Sequence, residues 1–480
     1  MKTYHILRLV IFIFAWLLVV SCKKKKPPQP PPPPPPPKSS EKAITSFIFK
    51  TADNSTYIVN NIPGTIGTDT IAVQVNQGVI VSSFIPTITH TGISLSPAGG
   101  VAQNFNNLVT YTVTAEDGST KRYVVKTIFL RANQKVYVGS ADGIVYAINA
   151  NTGTEIWKYT TGGAIHSSPL LVGNTLYIGS MDKNLYALDA ATGTLKWKYL
   201  TTAPIRNEGP VISNGVIFIS SKNNYPDGTV YAINAASGSL KWSKQISSPT
   251  SPVVAGGKVF INSNGGSFYT LNETNGAVIW SAIVGLGSVQ PTVINDKIYF
   301  ACSGGQFQLK CIDANTGTVI WNAACSSLVT RPAIDNSSLY MSSSFSNEQY
   351  VEALNATDGS FKWRYTLVHV GNSNIVVGSC PVTLDTLVLP GFHYGNFTAV
   401  KTNGIMAWQY GPANSGWYSN PAAANRVVYA GASDNYLHAI DATNGTLIWK
   451  FATNGSVYSG PCLIDSDNNI IHAGSSGAKN

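Results

Sequence analysis

Residues Ser168–Leu200 read SPLLVGNTLYIGSMDKNLYALDAATGTLKWKYL, and this stretch indicates the fold of most of the chain. It contains four short runs rich in aliphatic and aromatic residues: PLLV, TLYIGS, NLYALD and LKWKYL. Turn-forming residues separate the runs, and Gly193 before the last run can take the positive φ that a tight turn needs. The stretch therefore predicts four antiparallel strands of one sheet.

The spacing Gly-x-x-x-Trp occurs eight times between residues 134 and 480, with its tryptophans 38 to 45 residues apart. This period suits a β-propeller, in which each blade is a four-stranded sheet. A tryptophan at the same place in every unit predicts a structural role, in which each indole docks one blade on its neighbour. These tryptophans are Trp157, Trp197, Trp242, Trp280, Trp321, Trp363, Trp408 and Trp449.

A series of prolines counts the blades independently. One proline opens the expected innermost strand of each unit, where no donor of the sheet is lost: Pro169, Pro210, Pro252, Pro291, Pro332, Pro381, Pro421 and Pro461. The two series are offset by one strand, so the strand after Pro461 is expected to complete the blade of Trp157. The sequence thus predicts an eight-bladed propeller over residues 134–480. The segment 468–475 repeats a second-strand pattern and has no place in this scheme.

The N-terminus predicts export and anchoring. Lys2 and Arg8 form a positive segment before an apolar run over residues 9–20, which is too short for a bilayer core of about 30 Å and fits a signal peptide over residues 1–22. The sequence Val-Val-Ser-Cys ending at Cys22 resembles the lipobox of bacterial lipoproteins, and this resemblance implies that Cys22 is acylated. Residues 23–40, rich in lysine and proline, are expected to form an extended tether.

The basic charge lies outside the expected domains. Residues 1–40 contain seven Lys or Arg and no acidic residue, whereas residues 41–480 contain 25 basic and 23 acidic residues. A nucleic-acid-binding fold normally carries a basic face, so the nearly neutral remainder argues against that class. The lipid would be the sole contact with the membrane, because no later apolar run is long enough to span it.

Residues 41–130 are predicted to form an Ig-like β-sandwich. Residues alternate between apolar and polar in IAVQV and VTYTVTA, and Asp117-Gly118 lies between two such runs, as in a hairpin. The segments ITSFIF and GVAQNFNNLVTYTVTAEDGSTKRYVV resemble the Ig-like domains that follow the lipid anchor in Bacteroidota lipoproteins. Such lipoproteins at the cell surface often carry acidic residues after the cysteine; lysines stand there in this chain, which favours the periplasm.

The segments VYVGSADGIVYAINANTGTEIWKY and LYIGSMDKNLYALDAATGTLKWKY resemble the repeat of pyrroloquinoline-quinone (PQQ) propellers over nearly all of residues 134–480. One branch of that superfamily contains quinoprotein alcohol dehydrogenases, and another contains non-enzymatic lipoproteins of the BamB type, which are outer-membrane assembly scaffolds. The resemblance implies either an enzyme with PQQ and Ca²⁺ or a scaffold that binds proteins of the cell envelope.

The residues favour the scaffold. Quinoprotein dehydrogenases often carry a disulfide of adjacent cysteines, but no two cysteines are adjacent here, and the long insertions that build the cofactor chamber are missing. The histidines show no ligand spacing such as HExxH, and no GxSxG motif or P-loop occurs. We therefore expect no catalytic residue, no metal and no PQQ. A dehydrogenase-like enzyme and a glycan-capturing surface lipoprotein remain alternatives.

A partner is expected to bind the propeller face formed by the loops that enter the inner strands. Residues in these loops ring the mouth of the central channel, and they include residue types that dominate binding hot spots. The candidates are His166, Arg206, Glu208, Gln290, Arg331, Trp417, Tyr418 and Tyr458. The alternative is a solvated rim in which Arg206 and Glu208 pair locally.

Overall fold

The computed structural model describes residues 36–480 except for 77–78, 131–133, 207–208, 224–225, 287–288, 304–306, 326–329, 336, 346–347, 368–380, 385, 391–392, 412–415, 418, 465–469 and 474–480. The chain divides into two compact units. One comprises Val81–Thr127 and the residues up to Val73, and the other comprises Gln74–Ile80 and the residues from Ile128 onward. Apart from one short helix, the regular elements of the described residues are strands, which confirms the all-β class.

The N-terminal unit is a sheet of seven strands in the order β4-β1-β2-β3-β7-β6-β5. Its elements are β1 Ile44–Phe49, α1 Thr51–Asn54, β2 Ile62–Ile66, β3 Thr70–Asn76, β4 Pro86–His90, β5 Ser94–Ser96, β6 Val109–Thr114 and β7 Thr120–Leu130. Strands β1 and β6 are second from opposite ends of this order, yet the rings of Phe47 and Tyr111 lie 6.1 Å apart. The sheet therefore folds over on itself around an aromatic core, consistent with a β-sandwich.

The second unit is an eight-bladed propeller, as the sequence predicts. In chain order its strands are β8 Lys135–Gly139, β9 Ile144–Asn149 and β10 Glu155–Thr160 in blade 1; β11 Leu170–Val172, β12 Thr175–Gly179, β13 Asn184–Asp189 and β14 Leu195–Leu200 in blade 2; β15 Val211–Ser213, β16 Val216–Lys222, β17 Gly228–Asn234 and β18 Leu240–Gln245 in blade 3; β19 Val253–Ala255, β20 Lys258–Asn262, β21 Ser267–Asn272 and β22 Val278–Ile283 in blade 4.

Blades 5 to 8 continue the same order from the inside outward. Blade 5 contains β23 Thr292–Ile294, β24 Lys297–Ser303, β25 Phe307–Asp313 and β26 Val319–Ala324, and blade 6 contains β27 Ala333–Asp335, β28 Ser338–Phe345, β29 Glu348–Asn355 and β30 Phe361–Leu367. Blade 7 contains β31 Val382–Leu384, β32 Leu387–Leu389, β34 Phe397–Lys401 and β35 Met406–Tyr410, and blade 8 contains β37 Ala422–Ala424, β38 Val427–Gly431, β39 Tyr436–Asp441 and β40 Leu447–Ala452. Two further short strands, β33 His393–Tyr394 and β36 Gly416–Trp417, pair with each other.

The ring closes by combining the two ends of the repeat. Strand β41, Cys462–Ile464, pairs antiparallel with β8 and supplies the inner strand of blade 1. This confirms the expected closure. Strand β42, Ile470–Ala473, pairs with the other edge of β41 and contacts the inner strands β11 and β37 of the two neighbouring blades. The unassigned C-terminal segment therefore adds a fifth strand on the channel side of blade 1.

Tryptophans join successive blades around the whole ring. Each Trp of the Gly-x-x-x-Trp series donates its indole N–H to a turn carbonyl of the next blade, at N···O distances of 2.7 to 3.3 Å. The last bond runs from Trp449 in blade 8 to Ala150 in blade 1. Blade 7 lacks the usual Asp or Asn in its turn, but Thr402 O still accepts the Trp363 N–H at 2.8 Å.

The turn glycine of each unit makes this docking possible. Gly193 has φ 76°, and a Cβ atom added there would lie 2.6 Å from the indole of Trp157. A side chain would therefore be strained in its backbone conformation and would overlap the ring. Each unit thus takes part in two contacts: its glycine meets the Trp of the preceding blade, and its own Trp meets the glycine of the next blade.

Candidate functional site

A hydroxyl two residues before the proline holds several of the loops that enter the inner strands. Ser167 Oγ accepts the N–H of Gly179 at 3.3 Å, and Ser459 Oγ accepts the N–H of Gly139 at 3.2 Å. The equivalent acceptors in other blades are Thr250, Thr330 and Ser419. Of the residues directly before these hydroxyls, His166 and Tyr458 are half-buried, whereas Pro249 is buried.

His166 and Tyr458 form an aromatic pair on the loops entering blades 2 and 1, and Arg206, on the loop entering blade 3, lies near enough for its charge to act on His166. The rings of His166 and Tyr458 lie 4.7 Å apart and are tilted by 56°. Both side chains are half-buried, and Arg206 is exposed. Burial, followed by the charge of Arg206, lowers the pKa of His166, so the imidazole is neutral at neutral pH. The structure thus brings three of the predicted residues together.

Two aspartates fix the loops that carry this aromatic pair. Asp182 Oδ2 accepts the N–H of Gly162, four residues before His166, at 2.8 Å. In the same way Asp142 Oδ2 accepts the N–H of Asn454, four residues before Tyr458, at 3.1 Å. Burial opposes the ionisation of Asp182, but hydrogen bonds, first that from the Tyr186 hydroxyl, keep the pKa of its carboxyl below the usual value. The pair is therefore presented by loops tied to the scaffold.

Gln290 and Arg331 lie inside the ring instead of at its surface, with exposed fractions of 1% and 6%. Arg331 Nη1 donates to Gln290 Oε1 at 2.6 Å, and Gln290 Nε2 donates to Pro252 O at 3.1 Å. Arg331 Nε also donates to Thr292 Oγ1 at 3.2 Å. These two residues link the inner ends of blades 4, 5 and 6. The sequence predicted that they would be accessible to a partner, but in the structure they are buried.

Trp417 is also buried, with 1% of its surface exposed. Its indole N–H donates to Gly395 O at 2.8 Å, and its ring packs 5.2 Å from Phe397 in the core between blades 7 and 8. Trp417 therefore belongs to the packing of the propeller and does not present a binding surface. Glu208, Tyr418 and the predicted lipidation site Cys22 lie outside the described residues.

One buried polar group on this side of the propeller was missed by the sequence argument. His438 is 2% exposed; its Nε2 lies 3.0 Å from Asp434 Oδ2, and its Nδ1 lies 2.9 Å from the Tyr410 hydroxyl of blade 7. Burial opposes ionisation of Asp434, but the hydrogen bond and charge of His438, the Tyr436 N–H and the charge of Lys450 together lower the pKa of the carboxyl. The available signal was the third residue of β39, which is His where β9 and β13 have Tyr.

Among the described residues, no three His, Cys, Asp or Glu side chains come together as metal ligands. At the inner ends of blades 4 to 6, Arg331 is engaged by Gln290 and Thr292. Cys302, Cys311 and Cys462 are buried thiols without a disulfide bond. The expectation of no cofactor stays a prediction.

No helix in the described part of the chain is long and apolar enough to cross a membrane.

Two family models match the chain. Residues 44–127 match the model described as SGBP, N-terminal. Residues 124–209, 205–282 and 284–415, more than half of the chain, match the model described as outer membrane protein assembly factor BamB.

Two curated relatives match parts of the chain. Outer membrane protein assembly factor BamB of Moranella endobia (strain PCIT) is 29% identical in an alignment 141 residues long that covers 25% of this chain and 35% of the relative. Quinoprotein ethanol dehydrogenase of Pseudomonas aeruginosa is 30% identical over 76 residues, which are 16% of this chain and 12% of the relative. The chain thus spans about a third of the first relative's length and about an eighth of the second's.

Solved structures resemble the propeller. A europium-containing methanol dehydrogenase has a TM-score of 0.52 at 14% identity, covering 65% of this chain and 83% of that one. The computationally designed Ika8 protein also has a TM-score of 0.52 at 14% identity, covering 64% and 94%. BamB from Moraxella catarrhalis has a TM-score of 0.44 at 18% identity, covering 70% and 92%. At these identities the first two matches support the fold alone.

Proposed function

Because the chain belongs to the family described as outer membrane protein assembly factor BamB, we propose that it is a non-enzymatic scaffold of the cell envelope that binds a protein partner. The match of residues 44–127 to an SGBP N-terminal model supports an outer-membrane-associated protein. In this proposal the acylated Cys22 anchors the chain, residues 23–40 form the tether, and the propeller faces the periplasm.

The observation that carries the proposal is the cluster of His166, Tyr458 and Arg206. It combines an aromatic pair with an exposed guanidinium, which are groups that contribute strongly to protein interfaces. Its side chains come from three successive blades, and Asp142 and Asp182 hold two of the three loops in place. A partner would therefore meet a preorganised surface and would lose little affinity to ordering it.

Site-specific photo-cross-linking tests this surface. A benzoylphenylalanine at position 458 should yield a defined cross-linked partner in the membranes of expressing cells. The matched control places the same probe at Phe361, an aromatic residue that is 61% exposed on the outer strand of blade 6. Equal cross-linking at both positions, or no cross-linked protein from position 458, would contradict the proposed face. Retention of the chain on polysaccharide gels without any protein cross-link would favour the glycan alternative.

A further inference from the structure

Among the described strands, the outermost strand of each blade has one edge without a neighbouring strand in its sheet. Edge strands invite pairing with other chains, and natural proteins often protect them with charged side chains, lysine above all. The second residue is lysine in the outer strands of blades 2, 3 and 6, and the fourth is Lys or Arg in those of blades 1, 2, 6 and 8. Five of the eight outer edges therefore carry this protection.

The adjacent outer strands of blades 4 and 5 lack this protection. Strand β22 reads VIWSAI and strand β26 reads VIWNAA, with no charged residue in either. Their aliphatic side chains are accessible: Ile283 is 92% exposed, Ile279 45% and Ile320 46%. Strand β35 of blade 7 is uncharged as well, but its Ala407 and Gln409 are only half-exposed.

We propose that β22 pairs antiparallel with β22 of a second copy of the chain, so that two propellers associate through the outer edge of blade 4. In a two-fold contact each residue meets the same surface of its partner. With Ser281 on the axis, Ile279 lies opposite the second copy's Ile283, and Ser281 lies opposite its own equivalent. The register follows from the alternation of the strand, because residues 279, 281 and 283 project from the same face.

Charge selects the second copy as the occupant of this edge. In blades 1, 2, 6 and 8 the same self-pairing would place a Lys or Arg at the fourth position against itself, which is destabilising: Lys158, Lys198, Arg364 and Lys450. In β22 the fourth residue is Ser281, and the aliphatic side chains on both sides of it lose contact with water when a similar strand is added. An uncharged, alternating strand complements this edge, and β22 is itself such a strand.

Disulfide trapping tests the pairing and its register. Residues directly opposite in an antiparallel pair have Cβ atoms about 4.5–5.5 Å apart, close enough for a disulfide after small shifts. The full-length Ser281→Cys variant, oxidised in membranes and again in detergent, should form a covalent dimer. Ser243→Cys is the matched control, because Ser243 is the exposed fourth residue of the lysine-bearing strand β18. The unmodified chain gives the background from the native cysteines.

A second substitution separates specific pairing from random collision. Adding Ile283→Lys to Ser281→Cys should reduce the yield of dimer at least tenfold, because each copy then presents a lysine at the contact. The outer strands of five blades carry Lys or Arg, so the lysine is compatible with this fold. Equal dimer yields for Ser281→Cys and Ser243→Cys, or a yield unaffected by Ile283→Lys, would overturn the proposal.

Discussion

At the scale of single residues, a glycine and an indole form the contact that joins neighbouring blades. The contact needs the glycine for two reasons, its positive φ and the space above its Cα. Gly317 shows both, with φ 74° and the Trp280 ring 2.8 Å from the position of an added Cβ. Gly215 separates the two effects, because it has φ 71° but no atom within 4 Å of that position.

Gly317→Ala should therefore destabilise the propeller more than Gly215→Ala does. Backbone strain alone costs about 1–2 kcal/mol for a residue in the left-handed region, and overlap with the indole adds about 1–3 kcal/mol. Urea unfolding of both variants, followed by tryptophan fluorescence, measures the difference in midpoint. Equal midpoints would show that the indole can move away from the added methyl group without a loss of stability, and would contradict a closely packed docking contact.

His166 makes stability depend on pH in a defined direction. Its pKa in the folded chain is lowered by burial and by Arg206, so below about pH 6.5 the unfolded chain binds the proton more readily than the folded one. The contribution of this residue is favourable above that pH and is lost as the pH falls. His166→Phe keeps a ring against Tyr458 and should flatten the decline in melting temperature between pH 7 and 5. Parallel profiles for the two proteins would contradict this assignment.

At the scale of elements, the short strand β41 closes the ring. It pairs with β8 on one side and with β42 on the other. Removal of residues 461–480 deletes β41 and should abolish a single cooperative unfolding transition, because blade 1 loses its inner strand. Removal of residues 468–480 deletes only β42 and should preserve cooperative unfolding.

Thermal unfolding followed by circular dichroism compares the two truncations. We expect one sharp unfolding transition for the shorter deletion, and a broad transition or a lower melting temperature for the longer deletion. If the longer deletion unfolds like the intact chain, ring closure by β41 does not hold the propeller together. If the shorter deletion alone broadens the transition, the fifth strand has a larger structural role than its place at the inner edge of one sheet suggests.

The blades could be predicted from the sequence because each contains the same short-range patterns, repeated at nearly constant spacing. Alternating runs, a turn glycine and the proline before each inner strand all act within a few residues. The candidate site was harder to predict, because residues close together before the prolines differ in burial. His166 and Tyr458, three residues before a proline, are half-buried, whereas Gln290 and Arg331, directly before one, are buried.

Trp417 shows a second limit of the sequence argument. It lies outside the Gly-x-x-x-Trp spacing, so no repeated pattern indicated that it would be buried against Phe397 and bonded to Gly395. Its environment comes from the pair of short strands β33 and β36, an irregularity found beside blade 7. Substitution of Trp417 or Arg331 would therefore perturb the fold, and neither change is suited to testing a binding surface.

For the molecule as a whole, binding of PQQ and dehydrogenase activity would distinguish a quinoprotein enzyme from a scaffold. The purified chain, incubated with PQQ and Ca²⁺, should show no alcohol-dependent reduction of a redox dye and no rise in melting temperature. A ligand that bound only the folded chain at 100 times its Kd would stabilise it by about 2.7 kcal/mol, which a thermal scan detects. A known quinoprotein dehydrogenase serves as the positive control. Stabilisation together with dye reduction would move the chain to the enzymatic branch.

The central claim is that His166, Arg206 and Tyr458 bind a protein partner at the mouth of the propeller. Its most direct test is the affinity of the Arg206→Ala, Tyr458→Ala double variant for the partner cross-linked at position 458, measured by titration calorimetry. We expect a loss of about 2 kcal/mol or more, roughly a thirtyfold weaker Kd, while the variant still unfolds in one cooperative transition. Undiminished affinity of this variant would contradict the claim and place the function on another surface.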